Sequence, residues 1–144
     1  MIIINKRNLF FLISVWLLST LLSAQNVTIS TPHTQLLLSV PNGGTPEQLY
    51  YGSRTSDADI RSICETARRR NAYPVYGMGY PCETALSVRH ADGNLTLQMA
   101  VIGVKETRLT KENATLTVIE LKDKVYPFFV NICYKAWQDA DVIE

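Results

Sequence analysis

Six acidic side chains stand where a carboxylate could do chemistry: Asp57, Asp59, Glu83, Asp92, Asp139 and Asp141. Cleaving a glycosidic bond takes two such groups facing the sugar, one giving a proton and one acting as nucleophile or base. Asp59 also suits the first turn of a helix, where the helix dipole favours negative charge. Asp92 suits a tight turn, and Asp139 and Asp141 follow a strand, where polar residues are expected. Glu83 alone lies in a segment that suggests a ligand. No Gly-x-Ser-x-Gly elbow, phosphate loop or His-Glu-x-x-His pattern is present. His90 immediately precedes a turn and reads as structural. Cys64, Cys82 and Cys133 fit no zinc spacing, and His33 and His90 are remote from them in sequence. The chain by itself is therefore expected to have no catalytic residues, no metal site and no cofactor.

The segment around Glu83 is rich in rings. Residues 71–84 carry Tyr73, Tyr76 and Tyr80 among Pro74, Gly77, Gly79 and Pro81. One reading is a surface loop tied down by aromatic packing. The functional reading is a sugar-facing loop, with Tyr76, Tyr80 and Glu83 as candidate contacts, because tyrosine rings stack on apolar sugar faces while their hydroxyls bond polar groups.

Such a loop must be carried by a scaffold, and the hydrophobic pattern indicates a β one. Gln35 to Val40 alternates, with Leu36, Leu38 and Val40 on one face, Gln35 and Ser39 on the other, and Leu37 breaking the polar side. The turn cluster Pro41-Asn-Gly-Gly44 and the run Gln48-Leu-Tyr-Tyr51 complete a hairpin. Ile60, Ile63, Cys64 and Ala67 fall at helical spacing, which predicts one short amphipathic helix near 57–69, capped by Ser56. The three arginines Arg68–Arg70 are then a solvated face at its end. Leu86 to His90 is expected to be a strand that turns through Ala91-Asp-Gly-Asn94 into a return strand with Leu95, Leu97, Met99 and Val101 on one face. Leu116 to Leu121 forms another strand, whose apolar phase shifts at Val118-Ile119 through a bulge or burial on both faces. Tyr126, Phe128, Val130, Ile132 and Tyr134 share one face of a last strand, and Pro127 limits pairing at its start. Short strands at this spacing make the domain mainly β, an antiparallel β-sandwich or a piece of one.

The N-terminus has a different design. Lys6 and Arg7 precede Leu9–Leu22, an uncharged apolar run, and Ser23-Ala24 leads into Gln25-Asn26. This is the layout of a signal peptide over 1–24, and the run is short for a stable membrane span. The expected product, 25–144, is an exported domain in the periplasm or outside the cell. Without Lys6 and Arg7 it has 12 basic and 13 acidic residues. It therefore has no net field to draw nucleic acid. Three cysteines leave at least one thiol unpaired in an exported chain, and the sequence does not choose a pair. Asn26, Asn94 and Asn113 open glycosylation sequons, which matter only in a host with that machinery.

Several stretches, in order, resemble one known domain. They are Ile29-Ser-Thr-Pro-His-Thr-Gln-Leu-Leu-Leu38, Leu49-Tyr-Tyr-Gly52 with Ser56-Asp57, Tyr73-Pro-x-Tyr-Gly77, Glu83-Thr-Ala-Leu-Ser-Val-Arg-His-Ala-Asp-Gly93 and Trp137-Gln-Asp-Ala-Asp-Val-Ile143. Together they are similar to the N-terminal domain of family 36 glycoside hydrolases, the α-galactosidases. The resemblance implies a β-supersandwich of which this chain is a part. It also implies a (β/α)8 barrel, in cis or in trans, that holds both catalytic aspartates and cleaves α-galactosides. A role in homo-oligomer assembly and a loop reaching the sugar site are implied as well. The chain departs from the family in the loop. Members often have Gly-Asp-Phe-Arg-Glu-Pro-Ala where this sequence has Gly79-Tyr-Pro-Cys-Glu-Thr-Ala85. Tyr80, Pro81 and Cys82 thus replace an acid, a ring and a guanidinium, while Glu83 and Ala85 remain. The barrel's Lys-Trp-Asp motif is also missing, and Lys135-Ala-Trp-Gln-Asp139 echoes it only superficially. The expectation is a non-catalytic domain, truncated at its C-terminus. The alternatives are a free carbohydrate-binding module using the aromatic loop, or a purely structural assembly domain.

Overall fold

The computed structural model describes residues 25–41 and 43–144. The expected signal peptide over 1–24 lies outside the described residues. Among those that are described, no helix is long and apolar enough to cross a membrane.

Two antiparallel sheets face each other. The first contains β1 (Gln25–Ser30), β2 (Thr34–Val40), β3 (Glu47–Ser53) and β4 (Arg70–Asn71), in that order. The second contains β5 (Met99–Leu109), β6 (Ala114–Asp123) and β7 (Phe129–Trp137), also in order. A single cluster fills the space between them. Val27, Ile29, Leu36, Leu38 and Val40 from the first sheet meet Met99, Val101, Ile119 and Leu121 from the second. Phe128, Val130, Ile132 and Tyr134 pack against its border, the face that alternation assigns to the last strand. The fold of the described residues is the expected antiparallel β-sandwich with one α-helix.

β2 differs from a half-buried strand. Gln35, Leu37 and Ser39, on its outer face, are as buried as the core residues beside them. Helix α1 (Asp57–Thr66) and its flanks supply the cover. The Gln35 Oε1 accepts from the Thr55 N–H at 3.0 Å, Asn26 donates to the Cys64 sulfur at 3.2 Å, and Ser39 Oγ accepts from Arg69 at 3.1 Å. Gln35 and Ser39, the buried polar side chains of this face, therefore each have a partner, as desolvation requires. Leu37, which breaks the polar face in the sequence, is the apolar residue this second layer buries.

The helix starts as expected. Ser56 Oγ accepts from the Asp59 N–H, and Asp57 and Asp59 occupy the first turn. It ends three residues early, because Ala67 is extended. Arg68–Arg70 are consequently not a helix-end face: Arg69 pairs with Glu47 at 3.0 Å and Arg70 lies in β4.

The expected strand at Leu86–His90 reduces to one parallel bridge between Val75 and Leu86, and regular pairing begins only at Met99. Val75 occupies the place beside Leu86 that a hairpin partner would take. Leu97, Met99 and Val101 still point inward, whereas Leu95 is exposed. The irregularity expected in β6 lies in its partner, where the β5 register shifts between Val101 and Gly103. Both faces of β6 are also partly covered, since Val118 is half-buried beside the buried Ile119.

Candidate functional site

The aromatic loop is an excursion closed at its base. Val75 is fully buried in the core, and Pro74 and Tyr76 flank it with backbone bonds: the Ala85 N–H donates to Pro74 at 2.8 Å and the Tyr76 N–H to Leu86 at 3.2 Å. The Leu97 N–H donates to the Tyr76 carbonyl at 3.0 Å. Residues 77–84 leave this anchor and return to it. Gly77 makes the departure possible. Its φ is +95°, and a Cβ there would sit 2.5 Å from the Thr96 methyl carbon, so only glycine fits without strain.

Beyond the anchor the rings face solvent. Tyr76 is 48% exposed and Tyr80 43%, with Met78 between them at 44%. Glu83 is exposed as well. None of the three candidate side chains, Tyr76, Tyr80 or Glu83, makes a side-chain hydrogen bond or ion pair among the described residues. Tyr73 is different: it is half-buried and packs on the core, so it belongs to the loop's foundation.

A second cluster, which the sequence marked only through His90 and Asp92, is built at the adjoining turn. The His90 ring stacks on Tyr126 with centroids 3.6 Å apart and meets Phe128 edge-on at 6.3 Å. The Tyr126 hydroxyl donates to Asp92 at 2.6 Å and accepts from the Asn94 amide at 3.0 Å. His90, Asp92, Tyr126 and Phe128 border an open hollow of about 350 Å³, completed by Ala91 and Pro127. The Tyr126 bond holds the Asp92 carboxyl below its usual range, assisted by the Asn94 N–H. The same bond raises the Tyr126 hydroxyl. Both groups are thereby fixed in their neutral-pH forms, carboxylate and phenol, with their polar capacity spent on each other. The arrangement is a clamp that fastens the 90–94 turn to the β6–β7 connection, and within it the buried His90 Nε2 has no hydrogen-bond partner among the described residues.

Asp123 anchors that connection from below. It is almost wholly buried and accepts from the backbone N–H groups of Gln98 at 2.7 Å and of Val125 and Tyr126 at 2.8 Å each. Burial pushes its carboxyl up, but the bonds from Tyr126, Gln98 and Val125 outweigh burial and hold it below the usual value. Sequence reading passed over Asp123. Its signal was positional: an aspartate two and three residues before the N–H groups it caps is a turn-forming site.

A polar cleft of about 180 Å³ is lined by Thr28 and Ser30 of the first sheet, Glu106, Thr115 and Thr117 of the second, and Arg54 and Gln138. The three cysteines are unpaired, on α1 (Cys64), in the loop (Cys82) and on the outer face of β7 (Cys133). No group of three or more metal-ligating side chains forms among the described residues.

This scaffold and its anchored loop match a known domain. Residues 44–144 fit the family model for the glycosyl hydrolase family 36 N-terminal domain. The chain belongs to that family. Solved structures with the same fold include the α-galactosidase from Lactobacillus brevis, with a TM-score of 0.69 and 17% identity over 83% of this chain and 20% of that one. The AgaA α-galactosidase from Geobacillus stearothermophilus, in complex with 1-deoxygalactonojirimycin, gives a TM-score of 0.71 at 15% identity, over 83% of this chain and 21% of that one. The galactosidase domain of an α-galactosidase–sucrose kinase gives 0.66 at 21% identity, with the same shares, 83% and 21%. The family 36 N-terminal domain described here thus spans about a fifth of the length of the solved proteins it matches. No curated protein matches the sequence significantly.

Proposed function

We propose that this family 36 N-terminal domain is the non-catalytic part of an exported α-galactosidase-like glycoside hydrolase. In this reading it supports assembly and the sugar site of a catalytic barrel joined to it or supplied separately. The family match over 44–144 carries the proposal. The acids support the non-catalytic role: Asp92 and Asp123 are committed to internal bonds, and Glu83 has no second carboxylate assigned to it. The loop supports the sugar-site role, since Tyr76 and Tyr80 present exposed rings from a fixed base. Replacement of the family's acid, ring and guanidinium by Tyr80, Pro81 and Cys82 implies ring stacking rather than charged contacts as the mode of sugar recognition. The nearly neutral composition supports a carbohydrate rather than a nucleic-acid partner.

The test is turnover of an aryl α-galactoside by the purified chain. No hydrolysis is expected. Turnover that persists through repurification and is lost when Glu83 and Asp92 are both replaced by alanine would overturn the non-catalytic reading.

The exposed rings of the loop also favour a second reading, a free carbohydrate-binding module. Calorimetry with α-galactosides separates the two. Heat at millimolar sugar that disappears in a Tyr76→Ala, Tyr80→Ala double variant supports the module, and absence of heat removes it.

A further inference from the structure

We propose that the polar cleft between β1 and the inner face of the second sheet is a binding site for a single sugar ring, separate from the tyrosine loop. The inference rests on the lining of that cleft and does not depend on the loop's part in the proposed function.

The cleft begins where the core ends. Along the inner face of β6, Leu121 and Ile119 belong to the core, and the next two residues of that face, Thr117 and Thr115, line the cleft. Glu106 of β5 stands opposite Thr117. The face thus changes from apolar to polar, and polar side chains are costly to bury against an apolar layer. Gln138 closes one side: its Nε2 donates to the Ser30 carbonyl at 3.1 Å and to the Ala136 carbonyl at 3.4 Å, which ties β7 to β1. The Arg54 N–H donates to the His33 carbonyl at 2.7 Å and fixes where the arginine side chain starts. The tail Val142–Glu144 bonds to the edge of β7 that faces away from β6, so its pairing does not fill the cleft.

Several polar groups of the lining lack partners. Thr117 is only 1% exposed, yet its hydroxyl makes no hydrogen bond among the described residues. A hydroxyl so enclosed needs a partner, and the cleft is where one can reach it. The Glu106 carboxylate and the Arg54 guanidinium line the same cleft, and neither forms a hydrogen bond or ion pair among the described residues. Opposite charges that share a small cleft without touching leave room for a molecule that bridges them.

The lining defines the ligand. One positive and one negative side chain favour a molecule without net charge. Arg54 offers only donors, Glu106 only acceptors, and Thr117 both, so the ligand must donate and accept at neighbouring positions. Adjacent hydroxyls of a pyranose do this. A zwitterion fits less well, because Arg54 and Glu106 are exposed and exposed ion pairs contribute little. The volume of about 180 Å³ is below the roughly 300–1,000 Å³ of drug-sized sites, which suits one ring rather than a chain. Ile29 and Ala136 are the only apolar residues of the lining, so an aromatic or acyl ligand has no platform there.

The experiment is amide NMR of the full chain, titrated with D-galactose and D-glucose, with glycine as the zwitterionic control. Saturable shifts at Thr117, Glu106 and Gln138 at millimolar sugar are expected, and glycine should give none. Glu106→Gln and Thr117→Val should each weaken binding, Glu106→Gln by about tenfold or more, the scale of a lost hydrogen bond to a charged group. The Tyr76→Ala, Tyr80→Ala double variant should keep the shifts, which separates this site from the loop. The same spectra report whether each variant folds, and Glu106→Gln, at an exposed position, decides if Thr117→Val does not. No shifts at these residues, shifts confined to residues 76–84, an equal response to glycine, or binding indifferent to a folded Glu106→Gln would overturn the proposal.

Discussion

The His33 imidazole Nδ1 lies 2.9 Å from one carboxylate oxygen of Asp141, although 108 residues separate them. The other oxygen accepts from the His33 N–H at 3.0 Å and from the Thr31 hydroxyl at 2.9 Å. The turn between β1 and β2 is thus tied to the tail that follows β7. One carboxylate joins the first sheet to the end of the second.

That tie makes a prediction about acid stability. The bond from His33, then that from Thr31, holds the Asp141 carboxyl below its ordinary value of 3.8. A carboxyl lowered in the folded state binds fewer protons there than in the unfolded chain. Its stabilising contribution is therefore complete above the unfolded value, about 3.9, and is lost as pH falls through the lower folded value. Asp141→Asn should lower the melting temperature at pH 7, and the difference from the parent should shrink below about pH 4. Melts recorded from pH 7 to pH 2 check it. A constant difference across that range would show that the carboxylate charge has no part in the tie.

Asp123 should matter more. Replacing it with alanine leaves three part-buried N–H groups, of Gln98, Val125 and Tyr126, without their acceptor. Losses of this kind cost roughly 1–3 kcal/mol per stranded group before water relieves some of them. Asp123→Ala is therefore expected to lose about 3 kcal/mol, and Asp123→Asn less, since one amide oxygen can still accept. Urea unfolding of both variants gives the comparison.

Gly77 and Gly79 form a matched pair for testing the loop base. Both have positive φ, +95° and +74°, but a Cβ at 79 meets open space while one at 77 meets Thr96. Gly79→Ala should carry only the backbone strain, about 1 kcal/mol. Gly77→Ala should cost roughly 3 kcal/mol, or displace the loop and release the Leu97 N–H from Tyr76. Thermal unfolding together with amide exchange at Leu97 distinguishes the two outcomes for Gly77→Ala.

Much of the sandwich was legible because alternation reports directly on two-faced strands. Leu36, Leu38 and Val40 went to the core as their spacing required, and so did Ile132 and Tyr134. What was not legible depended on contacts distant in sequence. Gln35 and Ser39 read as solvent-facing because nothing local reveals that Thr55 and Arg69 will cover them. Leu86–His90 resembled a hairpin strand, and only the fold shows Val75 taking the neighbouring place. The pairing of His33 with Asp141 left no trace in either local sequence. Within the candidate loop the ring content was visible, whereas the burial of Val75 and the closure of the loop at its base were not. Periodicity put Tyr126 on the last strand, but that strand begins at Phe129 and Tyr126 lies in the connection before it, where its hydroxyl meets the 90–94 turn.

Removing that hydroxyl tests the clamp. Tyr126→Phe keeps the ring that stacks on His90 but deletes the donor to Asp92 and the acceptor for Asn94. The stack should survive, since it depends on ring faces rather than on the oxygen. The Asp92 carboxyl should move up toward its ordinary value of 3.8, because the Tyr126 bond is the largest influence holding it down. Carboxyl-carbon NMR titration of Asp92 in parent and variant measures the movement directly. Amide exchange at Asn94 should quicken as well, because its N–H donates to the Asp92 carboxylate that Tyr126 orients. If Asp92 titrates identically in both proteins, the hydroxyl does not bond it in solution, and the turn is held by the His90–Tyr126 stack alone.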